Sequence, residues 1–264
     1  MSTVSIPVAE LSIQHISKEF VARGETVRVL DDVNFSVDQG EFLAIVGPSG
    51  CGKSTLLRII QGLEDPTAGA VTLAGKPLSS SSADRGFVFQ QDSLYPWRSV
   101  LQNVILGLEI MGEPRVKAIE RAMSLIDLVG LKGFEKHYPH ELSGGMRQRV
   151  NLARALAIDP EMLLMDEPFA ALDALTRETM QQELLRIAAA AHKTVLFITH
   201  QIDEAVLLAD RVLVMSARPG RVLETIPIDL PRPRSLSIKR SQEFQALVDR
   251  IWNLVSEATE VELT

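Results

Sequence analysis

The sequence has a single cysteine, no excess of positive charge and no long uninterrupted hydrophobic run. Cys51 is the only cysteine, so no disulfide can form within the chain, and a reducing compartment fits. The formal net charge of −7 disfavours a protein that binds nucleic acid irrespective of base sequence. The N-terminus lacks a basic segment followed by an apolar one, and the longest apolar stretches are cut by charge. We therefore expect neither a signal peptide nor a membrane-spanning helix.

The composition is that of a soluble globular protein. Hydrophobic residues make up 46% and charged residues 23% of the chain. A length of 264 residues allows one large α/β domain or two small ones.

Short apolar runs alternate with segments of helical periodicity, which is typical of a largely parallel α/β sheet. The runs are FLAIV (42–46), FVF (87–89), MLLM (162–165) and TVLFIT (194–199). Two of the helical segments are marked by apolar residues spaced three or four apart. These residues are Val116, Ile119, Met123 and Ile126 in the first segment, and Met180, Leu184, Ile187 and Ala191 in the second.

The pattern also predicts how the chain is organised. We expect a tail over 1–9, a main domain over 10–229 and a C-terminal tail over 230–264. The main domain begins with antiparallel strands over 10–38 and contains a helical subdomain at about 91–157, whereas SSSS (79–82) is a loop. The C-terminal tail carries an amphipathic helix with apolar residues at Phe244, Leu247, Ile251 and Leu254.

Each apolar run is followed at once by residues suited to phosphate chemistry. They are the glycine-rich loop that starts at Gly47, then Gln90, the pair Asp166 and Glu167, and His200. Ligands of open parallel sheets bind beyond the carboxyl ends of the strands. The sequence therefore predicts an active site at one edge of the sheet.

The stretch GPSGCGKST (47–55) matches G-x-x-x-x-G-K-[ST] between a strand and a helix, which is the context of a P-loop. Glycines let backbone N–H groups converge on an anion at the helix N-terminus. Lys53 is expected to reach the β- and γ-phosphates, the Ser54 hydroxyl to ligate Mg²⁺, and Thr55 to contact the α-phosphate side. The expected nucleotide-binding residues here are Gly47, Pro48, Ser49, Gly50, Cys51, Gly52, Lys53, Ser54 and Thr55.

Four further residues complete the expected site. Asp166 is expected to hold Mg²⁺ through water, and Glu167 to polarise the attacking water as a base. His200 is expected to contact the γ-phosphate, although a lone histidine is more often a cap or a packed side chain. Phe20 either stacks on an adenine or fills core.

The stretch LSGGMRQR (142–149) starts a helix with Ser143 as N-cap, two glycines and no acid in its first turn. Gly144 and Gly145 leave backbone N–H groups bare, which suits an anion. Arg147 and Arg149 either support that anion or belong to a solvated face. The stretch predicts a second phosphate-binding helix end.

These motifs together resemble those of the ATP-binding cassette (ABC) ATPases over residues 10 to about 225. The stretch 47–55 resembles the Walker A motif, LSGGMRQR the signature motif and MLLMDEP (162–168) the Walker B motif. Gln90 is similar to the Q-loop glutamine, ALD (171–173) to the D-loop and His200 to the switch histidine. The chain departs from the family at Phe20, where tyrosine is frequent, and at Ala170, where serine is common.

The resemblance implies a fold, an activity and a dimer. The fold is α/β, with a P-loop (RecA-like), mostly parallel sheet, an N-terminal antiparallel β subdomain and a helical insertion. The activity is hydrolysis of ATP with Mg²⁺, with Ser54, Gln90 and Asp166 as metal ligands. The residues implied in catalysis are Lys53, Gln90, Glu167 and His200. Two such subunits, expected to be identical, pair head to tail, so that Ser143, Gly144 and Gly145 close over the nucleotide of the partner.

Two further stretches resemble one subgroup of this family. SLYPWRSVLQNV (93–104) and IPIDLPRPR (226–234) are similar to the ATPase subunits of bacterial importers for nitrate, sulfonates and taurine. The implied partners are a permease that docks near Gln90–Val104 and, indirectly, a solute-binding protein. Tyr95 and Trp97 are expected to be partly exposed there, while Val100, Leu101 and Val104 pack inside. The implied location is the cytoplasmic face of the bacterial plasma membrane.

Three alternatives stay open on the sequence alone. One is an ABC exporter or cell-division ATPase, and another is a soluble ABC ATPase of DNA repair or translation. A third is a nucleotide-gated module without turnover, which is expected to lack Glu167 or His200.

Overall fold

The computed structural model describes residues 11–22, 24–78, 82–90, 93–170, 172–191 and 193–260. The expected tail over 1–9, most of the serine-rich loop, Ala171 of the ALD stretch and the last four residues of the C-terminal tail lie outside the described residues.

The strands and helices alternate as the sequence predicts. In chain order they are β1 (Leu11–Ala22), β2 (Glu25–Val37), β3 (Phe42–Val46), α1 (Lys53–Gln61), β4 (Ala68–Leu73), β5 (Lys76–Pro77), β6 (Arg85–Val88), α2 (Val100–Val104), α3 (Leu106–Ile110), α4 (Arg115–Leu128), α5 (Gly144–Ala157), β7 (Met162–Asp166), α6 (Ala174–Ala191), β8 (Thr194–Ile198), α7 (Ile202–Leu208), β9 (Arg211–Met215), β10 (Val222–Pro227) and α8 (Gln242–Glu260).

The chain divides into two compact units, residues 1–82 with 188–264 and residues 83–187. The expected boundaries at 10–229 and at about 91–157 stay a prediction.

The first unit contains an antiparallel sheet and a mostly parallel one. The antiparallel sheet has the order β2-β1-β4-β5, which confirms the antiparallel strands expected over 10–38. In the other sheet β3 runs parallel to both β8 and β9, while β10 is antiparallel to β9. Every residue of β3 and β8 is buried, as their uninterrupted apolar sequences predict.

The second unit pairs β6 with β7 in parallel and contains α2 to α5 and most of α6. On α6 the apolar spacing is confirmed at three positions, because Met180, Leu184 and Ile187 are buried, whereas the side chain of Ala191 lies outside the described part. On α4 the apolar spacing predicts the buried side only in part: Ile126 is buried and Ile119 half-buried, whereas Val116 and Met123 are exposed and Ala118 and Ala122 are buried instead.

The C-terminal helix α8 is amphipathic as expected. Phe244 and Ile251 are fully buried, and Leu247 and Leu254 are half-buried. Within the described residues, no helix combines the length and the apolar character needed to cross a membrane.

Candidate functional site

The loop between β3 and α1 leaves a helix N-terminus open. Gly50 and Gly52 have φ angles of 77° and 104°, which disfavour side chains larger than hydrogen. Helix α1 starts at Lys53 with Gly52 as N-cap, without a side-chain cap and without an acid in its first turn. Such an end carries partial positive charge and unpaired N–H groups, so it suits an anion.

Lys53 lies against the start of the same loop. Its side chain is buried, and Nζ donates to the carbonyl oxygens of Gly47 at 2.7 Å and Pro48 at 2.8 Å. Residues 47–55 thus supply an ammonium group, hydroxyls and backbone N–H groups, and they contain no carboxylate. This donor set fits the phosphates of a magnesium nucleotide.

Cys51 is buried within this loop. Burial raises the pKa of its thiol, and the neighbouring Lys53 opposes that shift. The thiol is therefore protonated and shielded at neutral pH.

His200 follows β8, the parallel neighbour of β3, so it lies at the same sheet edge as the loop after β3. The residues next to it are fixed. Thr199 and Glu204 are both buried, and the Thr199 hydroxyl donates to the Glu204 carboxylate at 2.7 Å. The same hydroxyl oxygen accepts the backbone N–H of Gln201 at 3.0 Å. His200 itself is exposed.

Gln90 and Glu167 meet at the ends of β6 and β7. Gln90 Nε2 donates to Glu167 Oε2 at 3.0 Å, which confirms that the polar groups after these two strands share an edge. Asp166 is the last residue of β7 and is buried. Glu167 has a φ of 46°, a conformation that costs a non-glycine residue energy and is frequent at functional sites.

Helix α5 begins as the sequence predicts. Ser143 is the N-cap, its Oγ accepts the backbone N–H of Met146 at 3.2 Å, and the first turn contains no acid. Ser143 is exposed. Gly145 has a packing reason that the sequence does not reveal: a Cβ there would lie 3.0 Å from Thr176 Cγ2 at the start of α6.

The two arginines of this stretch are half-buried and bond to backbone carbonyl oxygens. Arg147 Nη1 donates to Leu142 at 2.8 Å, and Arg149 Nη1 to Val129 at 3.5 Å. The solvated-face interpretation is therefore wrong for both residues, because each fixes the backbone of a neighbouring segment.

Phe20 lies on β1 and is 39% exposed, so it does not fill core. Lys18 Nζ lies 4.9 Å from the centre of its ring. A cation over one face of the ring leaves the other face for stacking.

The segment after Gln90 presents two exposed aromatic side chains. Tyr95 and Trp97 are 40% and 70% exposed and contact each other edge to face at 5.4 Å between ring centres. Val100 and Val104 are buried and Leu101 is half-buried, which confirms the expected division. Gln91 and Asp92, within the expected docking segment, lie outside the described residues.

Asn103 is a structural residue that the sequence analysis missed. It is fully buried; Oδ1 accepts the Tyr95 N–H at 2.9 Å, and Nδ2 donates to the carbonyl oxygens of Tyr95, Arg98 and Ser99. It therefore holds the loop that presents Tyr95 and Trp97. No local sequence signal marks this role, because the four bonds depend on a loop conformation.

Asp173, in the stretch ALD, caps α6. Its Oδ1 accepts the Thr176 N–H at 3.0 Å, and bonding to the side chain and backbone of Thr176 lowers the pKa of Asp173.

Comparison with known proteins gives one consistent family. Residues 30–170 match the ABC transporter family. The chain is 53% identical over 248 residues to an uncharacterized ABC transporter ATP-binding protein of Methanocaldococcus jannaschii, covering 94% of this chain and 92% of the relative. It is 50% identical over 247 residues to the taurine import ATP-binding protein of Rhizobium johnstonii, covering 91% and 94%.

A solved structure of a dimeric ATP-binding cassette bound to ADP and phosphate is also similar. The TM-score is 0.76 at 33% identity, covering 84% of this chain and 100% of the other. This likeness confirms the expected fold class, a mixed α/β cassette with an antiparallel β subdomain.

Proposed function

Because this chain belongs to the ABC transporter family, we propose that it is the ATP-hydrolysing subunit of an importer for a taurine-, sulfonate- or nitrate-like solute. Its enzymatic activity is ATP hydrolysis, with ATP and Mg²⁺ as cofactors. It works with permease subunits and a second ATPase subunit. The solute class is supported by the taurine import relative, since taurine is itself an aminosulfonate.

The nucleotide phosphates are proposed to bind at residues 47–55. The observation that carries this proposal is the N-terminus of α1, which is lined by glycine and uncapped by any side chain. In this assignment Lys53 exchanges its bonds to loop carbonyls for bonds to the β- and γ-phosphates. Phe20 stacks on the adenine through the ring face opposite Lys18.

Ser54, Gln90 and Asp166 are proposed as the magnesium ligands, directly or through water, because a hydroxyl, an amide oxygen and a carboxylate are the oxygen donors that Mg²⁺ prefers. When bound, Mg²⁺ neutralises charge on the phosphates.

Glu167 is proposed as the base that takes a proton from the attacking water, and His200 as a contact of the γ-phosphate. The hydrogen bond from Gln90 supports the assignment of Glu167, because it orients the carboxylate at the end of β7. Lys53 and the N–H groups of α1 stabilise the developing charge on the phosphoryl oxygens.

The second phosphate-binding end is proposed to act on the nucleotide of the partner subunit. Ser143, Gly144 and Gly145 begin a helix without an acid in its first turn, and Ser143 is exposed. Tyr95 and Trp97 are proposed as anchors for the permease, because exposed aromatics held by a rigid loop are frequent at interfaces. The subunit is then peripheral, at the cytoplasmic face of a bacterial plasma membrane.

ATP hydrolysis by the subunit purified with its permease tests this function. We expect hydrolysis to rise when a solute-binding protein loaded with taurine, an alkanesulfonate or nitrate is added, with the unloaded binding protein as control. Hydrolysis that responds to none of the three solutes contradicts the proposed class.

A further inference from the structure

A second loop contacts residues 47–55, which are called the phosphate-binding loop below. Residues 216–220, between β9 and β10, are fixed to β2 by backbone bonds. Gly220 N–H donates to the Val29 carbonyl at 2.8 Å, and the Gly220 carbonyl accepts the Asp31 N–H at 3.0 Å. Arg221 adds an ion pair with Asp31. The 216–220 loop is therefore anchored independently of the phosphate-binding loop.

Gly220 lies so close to the backbone of Cys51 that only glycine fits at this position. It is buried, and a Cβ at this position would lie 2.1 Å from the carbonyl oxygen of Cys51. Real Cβ atoms do not come so close to an oxygen, so any side chain here forces the backbone of one of the two loops to shift.

Arg218 reaches the same loop with its side chain. Nε and Nη2 donate to the carbonyl oxygen of Gly50 at 3.3 and 3.2 Å, in a two-pronged contact with one acceptor. Gly50 has a φ of 77°, and glycine adopts positive and negative φ about equally readily, so the residue itself does little to fix the orientation of its peptide. A carbonyl oxygen held by a guanidinium cannot turn towards a bound phosphate and repel it.

We propose that Arg218 and Gly220 are positioning residues that keep the phosphate-binding loop preformed for MgATP. Gly220 sets the place of the Cys51 peptide, and Arg218 sets the orientation of the Gly50 peptide. The proposal rests on the proposed function of residues 47–55 as the nucleotide site. Arg218 and Gly220 lie about 170 positions after this loop in the chain and belong to none of the motifs named above.

Equilibrium binding of MgATP to the full chain tests the proposal. We expect Arg218→Ala to weaken binding about three- to tenfold, within the range of a typical net hydrogen-bond contribution, with an unchanged melting temperature. Arg218→Lys, which retains the charge and one donor, should recover part of the affinity. Arg250→Gln is the matched control: it removes another exposed arginine of the same unit, ion-paired with Glu224 on β10.

Cys51 reports the state of the loop without any nucleotide. It is the only cysteine and is buried, so alkylation by N-ethylmaleimide measures how often the loop opens. We expect faster alkylation in Arg218→Ala and Gly220→Ala than in the parent and in Arg250→Gln. If Gly220→Ala does not fold, the alkylation rates of the Arg218 variants still show whether Arg218 holds the loop.

Two results overturn the proposal. The first is that Arg218→Ala keeps both the affinity for MgATP and the alkylation rate within twofold of the parent values. The second is that Arg250→Gln loses as much affinity for MgATP as Arg218→Ala does. If the parent chain itself does not bind MgATP, the nucleotide site is wrong, while the alkylation rates still show whether Arg218 holds the loop.

Discussion

At the scale of single residues, Glu167 combines a left-handed backbone conformation with the carboxylate that is proposed as the base. Its φ of 46° lies in the left-handed region, which Asn tolerates better than most residues. Replacing Glu167 by Ala or by Asn removes the carboxylate and the bond from Gln90 alike. The two replacements differ mainly in how well they accept the backbone conformation.

We therefore expect Glu167→Asn to be more stable than Glu167→Ala by about 0.5–1 kcal/mol, although both lose most ATP hydrolysis. Urea unfolding of the two purified variants measures the difference. Equal stabilities, or a more stable Ala variant, would show that the backbone at this position is not strained.

At the scale of elements, α7 is held at both ends by the C-terminal segment. At its end, the guanidinium of the buried Arg234 donates to the carbonyl oxygens of Val206, Leu207 and Ala209, and also to those of Ile228 and Leu230. At its start, Lys239 pairs with Asp203 at 3.0 Å. Burial lowers the pKa of Arg234 to about 10, so the group stays charged at neutral pH.

Arg234→Gln should lower the free energy of unfolding by about 2–3 kcal/mol, because several buried carbonyl oxygens lose their donor. The exposed Arg232, paired with Asp210, is the control, and Arg232→Gln should cost below about 1 kcal/mol. Since α7 begins two residues after His200, Arg234→Gln should also lower kcat for ATP more than it raises KM. Denaturant unfolding and steady-state kinetics of the assembled transporter measure the two effects, and equal costs for the two arginines would refute the role.

Another element, the loop before α2, carries the proposed permease anchors. Trp97→Ala should weaken assembly with the permease while leaving MgATP binding by the isolated chain near the parent value, because the exposed indole contributes little to the fold. Trp252→Ala on α8 is the matched control, since that indole is 62% exposed. Co-purification from membranes measures assembly. Equal losses for both variants, or none for either, would remove Trp97 from the docking site.

The sequence predicts the strands and helices well, but it predicts only some of the contacts between them. The bounds of β3 agree with its apolar run, and the N-cap Ser143 is read correctly, because both depend on neighbours in the chain. The buried side of α4 is predicted only in part, because the helices that cover it, α2, α3 and α5, are separate elements of the chain. Gly220 is missed for a similar reason: its requirement comes from the Cys51 carbonyl, which is distant in the chain.

At the scale of the whole molecule, the proposed site is completed by a second copy of the chain. Ser143→Arg places bulk and charge at the proposed contact with the partner's nucleotide, and Lys53→Ala disables the nucleotide site of its own subunit. If the two act in the same composite site across the dimer, their distribution between subunits decides how many sites remain intact.

Two mixed transporters with the same number of substitutions show whether Ser143 acts on the nucleotide of the partner or on that of its own subunit. A Lys53→Ala subunit paired with a Ser143→Arg subunit should leave one composite site intact and retain hydrolysis above that of either mutant homodimer. A double-mutant subunit paired with a parent subunit puts one defect in each site and should be nearly inactive. The reverse order of activities, measured on tagged heterodimers, would mean that Ser143 acts within its own subunit.

Uptake in proteoliposomes tests the central claim most directly. The complete transporter is reconstituted with ATP and Mg²⁺ inside, on the side of the ATPase subunits, and the binding protein with labelled taurine is added outside. We predict accumulation of taurine inside with the parent chain, and none with Glu167→Gln, which keeps MgATP binding but lacks the base. Hydrolysis without accumulation, accumulation without ATP, or undiminished uptake with Glu167→Gln would contradict the account.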